Sequence, residues 1–119
     1  MKIAIVWASN DRSKYWNKIL RDLNSKGYKV FPVNPKEDLI EWIKCIPSLE
    51  KLPKDIEVIN IVTPPAITLE ILKKAESLWM KNVWCQPWST DDICKEFLES
   101  KWFKYIADSC IMIHSPKDN

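Results

Sequence analysis

KIAIVWASNDRSKYWNKILRDL, residues 2–23, is the stretch from which the fold is read. Ile3, Ala4, Ile5 and Val6 run without a polar interruption, and three of the four are β-branched, which suits a strand buried on both faces. The polar turn Ser9-Asn10-Asp11-Arg12-Ser13 follows. Tyr15, Ile19, Leu20 and Leu23 then recur at helical spacing. A strand, a short polar turn and a helix at the start of a chain form the opening unit of a Rossmann-like α/β domain. Ligands of such sheets sit beyond the carboxyl ends of the strands, and the first turn offers backbone N–H groups to a phosphate. The ligand is therefore expected at Ala8, Ser9 and Asn10.

The alternation continues along the chain. The first helix is expected over residues 13–25, with Gly27 at its C′ position. Residues 29–33 read as a strand ended by Asn34-Pro35-Lys36. Asp38 to Trp42 reads as a short helical turn leading to a short strand at 43–45. Ser48 reads as the N-cap of one helical turn docked through Leu49 and Leu52. A strand at 58–62 stops at Thr63-Pro64-Pro65, because proline cannot donate to a ladder. A helix over 66–78 is expected to bury Ile67, Ile71, Leu72, Ala75 and Leu78. A strand at 82–85 ends at Gln86-Pro87, and residues 89–92 offer caps for a last helix buried through Ile93, Phe97 and Leu98. A final strand spans 104–107, residues 108–114 wrap back, and 115–119 are expected to fray. The sum is a single three-layer Rossmann-like domain over 1–114: a mostly parallel sheet of about five strands with helices on both faces. Right-handed crossovers would gather the strand carboxyl ends on one rim.

Composition narrows the function. The chain has 119 residues and a net charge of +2, with Lys and Arg spread rather than blocked. That balance implies neither nucleic acid nor a membrane surface as partner. No apolar run approaches the roughly 20 residues a membrane helix needs, and the start shows no signal-peptide pattern. A cytoplasmic protein with reduced thiols is expected. Cys45, Cys85, Cys94 and Cys110 have no paired spacing and His114 is the lone histidine, so no metal site is expected. A homo-oligomer is left open.

Taken in order, the turns resemble the small stand-alone CoA-binding proteins related to the N-terminal CoA-binding domain of succinyl-CoA synthetase alpha subunits. The matching stretches are IAIVWAS at 3–9, KYWN at 14–17, GYKVFPVNP at 27–35, KCIPSLEKLP at 44–53, VTPP at 62–65, NVWCQPWS at 82–89 and DSCIMIH at 108–114. The resemblance implies non-catalytic binding of coenzyme A or an acyl-CoA. It implies that Trp7, Ala8, Ser9 and Asn10 face the pyrophosphate, with Arg12, Lys14 and Tyr15 beside them. Asn34, Pro35 and Lys36 would lie near the adenosine half, Lys36 suiting the 3′-phosphate. Val62, Thr63, Pro64 and Pro65 would wall the adenine or pantetheine, Gln86 would bond a pantetheine amide, and Cys110 would lie at the rim, where it could form a mixed disulfide with the CoA thiol under oxidation. An enzyme remains the alternative: a partner-dependent acyl-CoA synthetase alpha-like subunit, or a nucleotide-dependent oxidoreductase. No acid ends the second strand, where Asn34 stands, and no GxGxxG is present, both of which weigh against the oxidoreductase.

One feature departs from that family. The family pattern has glycine at positions 7, 16, 42, 79, 88 and 102, and this chain has tryptophan at every one. The chain holds one glycine and seven tryptophans, where about eight glycines are ordinary for its length. Trp84 is the one tryptophan the pattern itself expects. The exchange has the form of a codon read as glycine in the host and written as tryptophan here. At Trp7 the indole would stand where the pyrophosphate should approach the backbone.

Overall fold

A computed structural model describes residues 1–113, so His114 and the tail at 115–119 lie outside the described residues. The chain divides into two compact units, Met1–Ile59 and Asn60 onward.

In the first unit, β1 (Lys2–Val6) pairs in parallel with β2 (Lys29–Val33), joined by α1 (Tyr15–Ser25). Ile3, Ala4, Ile5 and Val6 are each fully buried, as a run without polar interruption requires. Ile19, Leu20 and Leu23 of α1 are fully buried too, so the helical periodicity of the sequence is the packed face of the helix. Residues 38–42 do not form the helical turn read from the sequence. They belong to a hairpin of β3 (Leu39–Ile40) and β4 (Ile43–Lys44), paired Leu39 to Lys44 and Ile40 to Ile43. Glu41 and Trp42 make its two-residue loop with φ of 49° and 65°. Positive φ at both central residues is the type I′ turn, whose twist matches the strands. Ser48 stands at the N-cap of a 3-10 turn, Leu49–Lys51, but its hydroxyl makes no capping bond.

In the second unit, β5 (Val58–Ile61, begun in the first) leads into α2 (Pro65–Ser77), then β6 (Asn82–Cys85), α3 (Asp92–Ser100) and β7 (Lys104–Ile106). β6 and β7 are parallel. Pro65 starts α2 because its missing N–H is one of the donors a first turn leaves unpaired anyway. Asp91 caps α3, its carboxylate accepting from the Cys94 N–H at 2.9 Å. Two apolar residues expected in the core are on the surface: Ile67 is 45% exposed and Ile93 63%. Thr68 and Cys94 are buried in these helices instead. Thr68 tolerates burial because its hydroxyl bonds Thr63 Oγ1 at 2.8 Å and the Thr63 carbonyl at 3.0 Å.

β1, β2, β5, β6 and β7 form a five-stranded parallel sheet in the order β2-β1-β5-β6-β7. With its three helices this is the Rossmann-like α/β fold. No helix among the described residues is long and apolar enough to cross a membrane.

Candidate functional site

The site is built on the loop between β1 and α1. Ala8 is fully buried and its amide donates to the Val33 carbonyl at 3.2 Å, so it extends the β1–β2 pairing and is not an open donor. Past Ala8 the chain turns. Ser9 Oγ accepts from the Asp11 amide at 3.1 Å, and Asp11 Oδ1 accepts from the Ser13 amide at 3.0 Å and the Ser13 hydroxyl at 2.6 Å. The Ser13 hydroxyl, then the Ser13 amide, hold the Asp11 carboxyl below its ordinary range. These bonds shape residues 9–13 into a fixed loop. Among the described residues, the amides of Ser9 and Asn10 make no hydrogen bond. α1 then begins with Lys14 at its N-cap, no side-chain cap and no acid in its first turn. With no side-chain cap and no acid, the partial positive charge of this helix start is left uncompensated, a setting that favours an anion.

Arg12 and Lys14 are exposed beside this loop, and Tyr15 is half-buried. The Arg12 guanidinium faces Glu41 of the hairpin turn, with Nε 3.5 Å from Oε2. Asn10 turns its side-chain amide to the hairpin as well, donating to Glu37 Oε2 at 2.6 Å and the Leu39 carbonyl at 2.8 Å. Trp7 is partly exposed.

The end of β2 is tied to the same loop. Asn34 Nδ2 donates to the Ala8 carbonyl at 2.9 Å, and Asn34 Oδ1 accepts from the Lys36 amide at 2.8 Å. Both halves of the Asn34 amide are thus committed to backbone, which makes Asn34 a brace for the loop. Pro35 and Lys36 are exposed. Behind them Cys45 is buried, and burial pushes its thiol pKa up.

Sequence reading missed the residues that hold the loop from below. Asn17 is fully buried. It donates to the Ser9 carbonyl at 2.6 Å and to Glu41 Oε2 at 3.3 Å, and accepts from Arg21 Nε at 2.8 Å. Arg21 in turn donates to the Arg12 carbonyl at 2.9 Å. The signal was available: Asn17 lies three residues before Leu20 on an apolar stripe, and Arg21 follows it by one helical turn.

In the second unit, Val62 and Thr63 are buried, Pro64 is exposed and Pro65 half-buried. Gln86 is not offered to solvent. It is fully buried, with Nε2 donating to Asn60 Oδ1 at 2.8 Å. Cys110 is half-buried beside Ser109, whose carbonyl accepts from Trp84 Nε1 at 2.7 Å. Cys85 and Cys94 are buried; burial pushes the Cys85 thiol up to about 12 and raises that of Cys94. No cluster of metal-ligating side chains exists among the described residues.

The chain is 29% identical over 82 residues to the alpha subunit of an ADP-forming acetate–CoA ligase II of Pyrococcus furiosus, covering 68% of this chain and 18% of that protein. It is 33% identical over 80 residues to an ADP-forming acetate–CoA ligase of Methanocaldococcus jannaschii, covering 67% of this chain and 11% of the relative. The chain therefore spans less than a fifth of these ligases. Among solved structures, a conserved hypothetical protein of Pyrococcus furiosus superposes with a TM-score of 0.93 at 44% identity, over 96% of this chain and 98% of that one. The CoA binding domain profile matches residues 1–116, and the chain belongs to that family.

Proposed function

We propose that the chain binds CoA or an acyl-CoA without catalysing a reaction, acting in the cytoplasm, with the pyrophosphate on the loop of Ser9, Asn10 and Arg12. One observation carries this reading: open amides at Ser9 and Asn10 lead into a helix start that has neither a side-chain cap nor an acid. Such an arrangement favours a phosphate. Arg12 and Lys14 add charge, Arg12 with a planar fork that suits a phosphate once it leaves Glu41. Asn34 braces the loop, and Lys36 is assigned to the 3′-phosphate. Trp7, Ala8, Tyr15, Pro35, Val62, Thr63, Pro64, Pro65, Gln86 and Cys110 enter the proposal through the family resemblance alone, and Gln86, buried against Asn60, would have to turn to meet a pantetheine amide.

Thermal unfolding with millimolar CoA, NAD or ATP tests the reading. A ligand that binds only the folded state adds about 2.7 kcal/mol at a hundredfold excess over Kd. For a domain of this size that raises the midpoint by several degrees. A shift with CoA alone is expected. A folded protein that shifts with NAD or ATP and not with CoA refutes the assignment.

A further inference from the structure

Three tryptophans stand in backbone conformations that belong to glycine. All three helices end in the same closure, in which the C′ amide bonds the C2 carbonyl and the next amide bonds the C3 carbonyl. At α1, Gly27 donates to Asn24 at 3.1 Å and Tyr28 to Leu23 at 3.2 Å, with φ of 90° at Gly27. At α2, Trp79 donates to Glu76 at 3.1 Å and Met80 to Ala75 at 2.9 Å, with φ of 60° at Trp79. At α3, Trp102 donates to Glu99 at 3.3 Å and Phe103 to Leu98 at 3.0 Å, with φ of 62° at Trp102. The motif wants a left-handed residue at C′, and glycine fills it without a Cβ penalty. The third case, Trp42, is the second residue of the type I′ turn, the position that glycine dominates in such hairpins.

Burial does not compensate these three. Trp42 is 92% exposed, Trp79 82% and Trp102 87%. The Trp79 ring has a neighbouring cation, Lys81 Nζ at 5.6 Å, but that ammonium lies nearer the Phe103 ring, at 5.2 Å. Trp84 is the contrast. It is 2% exposed, and its indole N–H reaches the Ser109 carbonyl at 2.7 Å, as a packed tryptophan should. Trp16 resembles the misplaced set, for its indole nitrogen is buried with no partner among the described residues.

We propose that residues 42, 79 and 102 are glycine in the polypeptide made by its own cell, because the codon rendered as tryptophan at those sites is read there as glycine. The shared codon carries positions 7, 16 and 88 with them. Trp84 remains tryptophan. This inference rests on backbone geometry and is independent of the ligand.

The gene and the native protein test it. The expected codon at 7, 16, 42, 79, 88 and 102 is one other than UGG, the same at each, with UGG at 84. Peptide mass spectrometry of the protein from its own cells is expected to find glycine at 42, 79 and 102 and tryptophan at 84. UGG at all seven sites, or tryptophan in the peptides spanning 42, 79 and 102, overturns the proposal. A second measurement tests the physical basis. Trp42→Gly, Trp79→Gly and Trp102→Gly are each expected to raise the folded-to-unfolded ratio about five- to thirty-fold, the cost of a left-handed L-residue. Trp84→Gly is expected to lower it. No gain at any of the three left-handed positions removes the basis of the argument.

Discussion

Asn17→Ala should loosen the loop at residues 9–13 and destabilise the fold together. Asn17 makes one neutral bond, to the Ser9 carbonyl, and two with charged partners, Glu41 and Arg21. A neutral buried hydrogen bond contributes about 1 kcal/mol and one to a charged group about 1.5–3 kcal/mol. Arg21 and Glu41 are partly exposed and recover water in the variant, which reduces the sum to roughly 2–4 kcal/mol. For a chain near this size the midpoint should fall by about 10–20 °C. Calorimetric unfolding measures that fall, and titration with CoA well below the new midpoint measures the loop. Asn17→Asp separates bonding from packing. It keeps the shape and the Arg21 contact, but sets an acceptor against the Ser9 carbonyl and a charge beside Glu41. It should do no better than alanine. If Asn17→Asp matches the unaltered protein in midpoint and CoA affinity, the donor role assigned to Asn17 is wrong.

Glu41→Gln should tighten CoA binding by up to about fivefold, because the exposed pair with Arg12 is worth at most about 1 kcal/mol and competes with the phosphate; calorimetric titration checks it, and unchanged or weaker binding counts against the assignment of Arg12. Lys36→Ala should reduce the preference for CoA over 3′-dephospho-CoA by a similar factor of up to about five while leaving dephospho-CoA affinity unchanged. The Asp91 carboxyl is held below its ordinary range by the Cys94 amide it caps, so its stabilisation of α3 is complete at neutral pH and is lost as pH falls through the depressed folded pKa; Asp91→Ala should flatten that acid loss in a series of unfolding midpoints between pH 6 and about 2. With Cys85 raised to about 12 and all of Cys45, Cys85 and Cys94 buried, a brief alkylation of the native protein at pH 8 should label Cys110 first, which peptide mapping will show.

Much of the fold was legible because its signals are local. The unbroken run Ile3–Val6 and the spacing of Ile19, Leu20 and Leu23 dictate β1 and α1 wherever the chain goes next. Gly27 marks the end of α1 by the residue its φ requires. The same mark was missing at Trp42, Trp79 and Trp102. At residue 42 this hid the hairpin, because a glycine at the second turn position between two short strands signals a type I′ turn and Glu41-Trp42 does not. Ile67 and Ile93 were misplaced for another reason: in short helices one apolar residue at the stripe's edge falls inside or outside according to partners distant in sequence. The polar turn between β1 and α1 was readable from its residues. Asn17 and Arg21 left a local signal, a polar pair one turn apart on α1, whereas Glu41 left none, since its partners Arg12 and Asn17 are set by tertiary placement.

The repeated helix ending has a consequence for how this architecture can change. Residues 26–28, 78–81 and 101–103 are all that separate each helix from the strand after it, and each joint is locked by the same pair of backbone bonds. Lengthening such a joint would unmake the closure and shift the register of the strand it feeds. The strand-to-helix connections at 7–14, 62–64 and 86–91 lack that closure and are shaped by bonds of their own, Ser9 to Asp11, Thr63 to Thr68 and Ser89 to Gln86 among them. Insertions, grafted recognition loops and shuffled segments should therefore be rejected at the joints, so that a library of new ligand preferences is best drawn by substitution within the strand-to-helix connections.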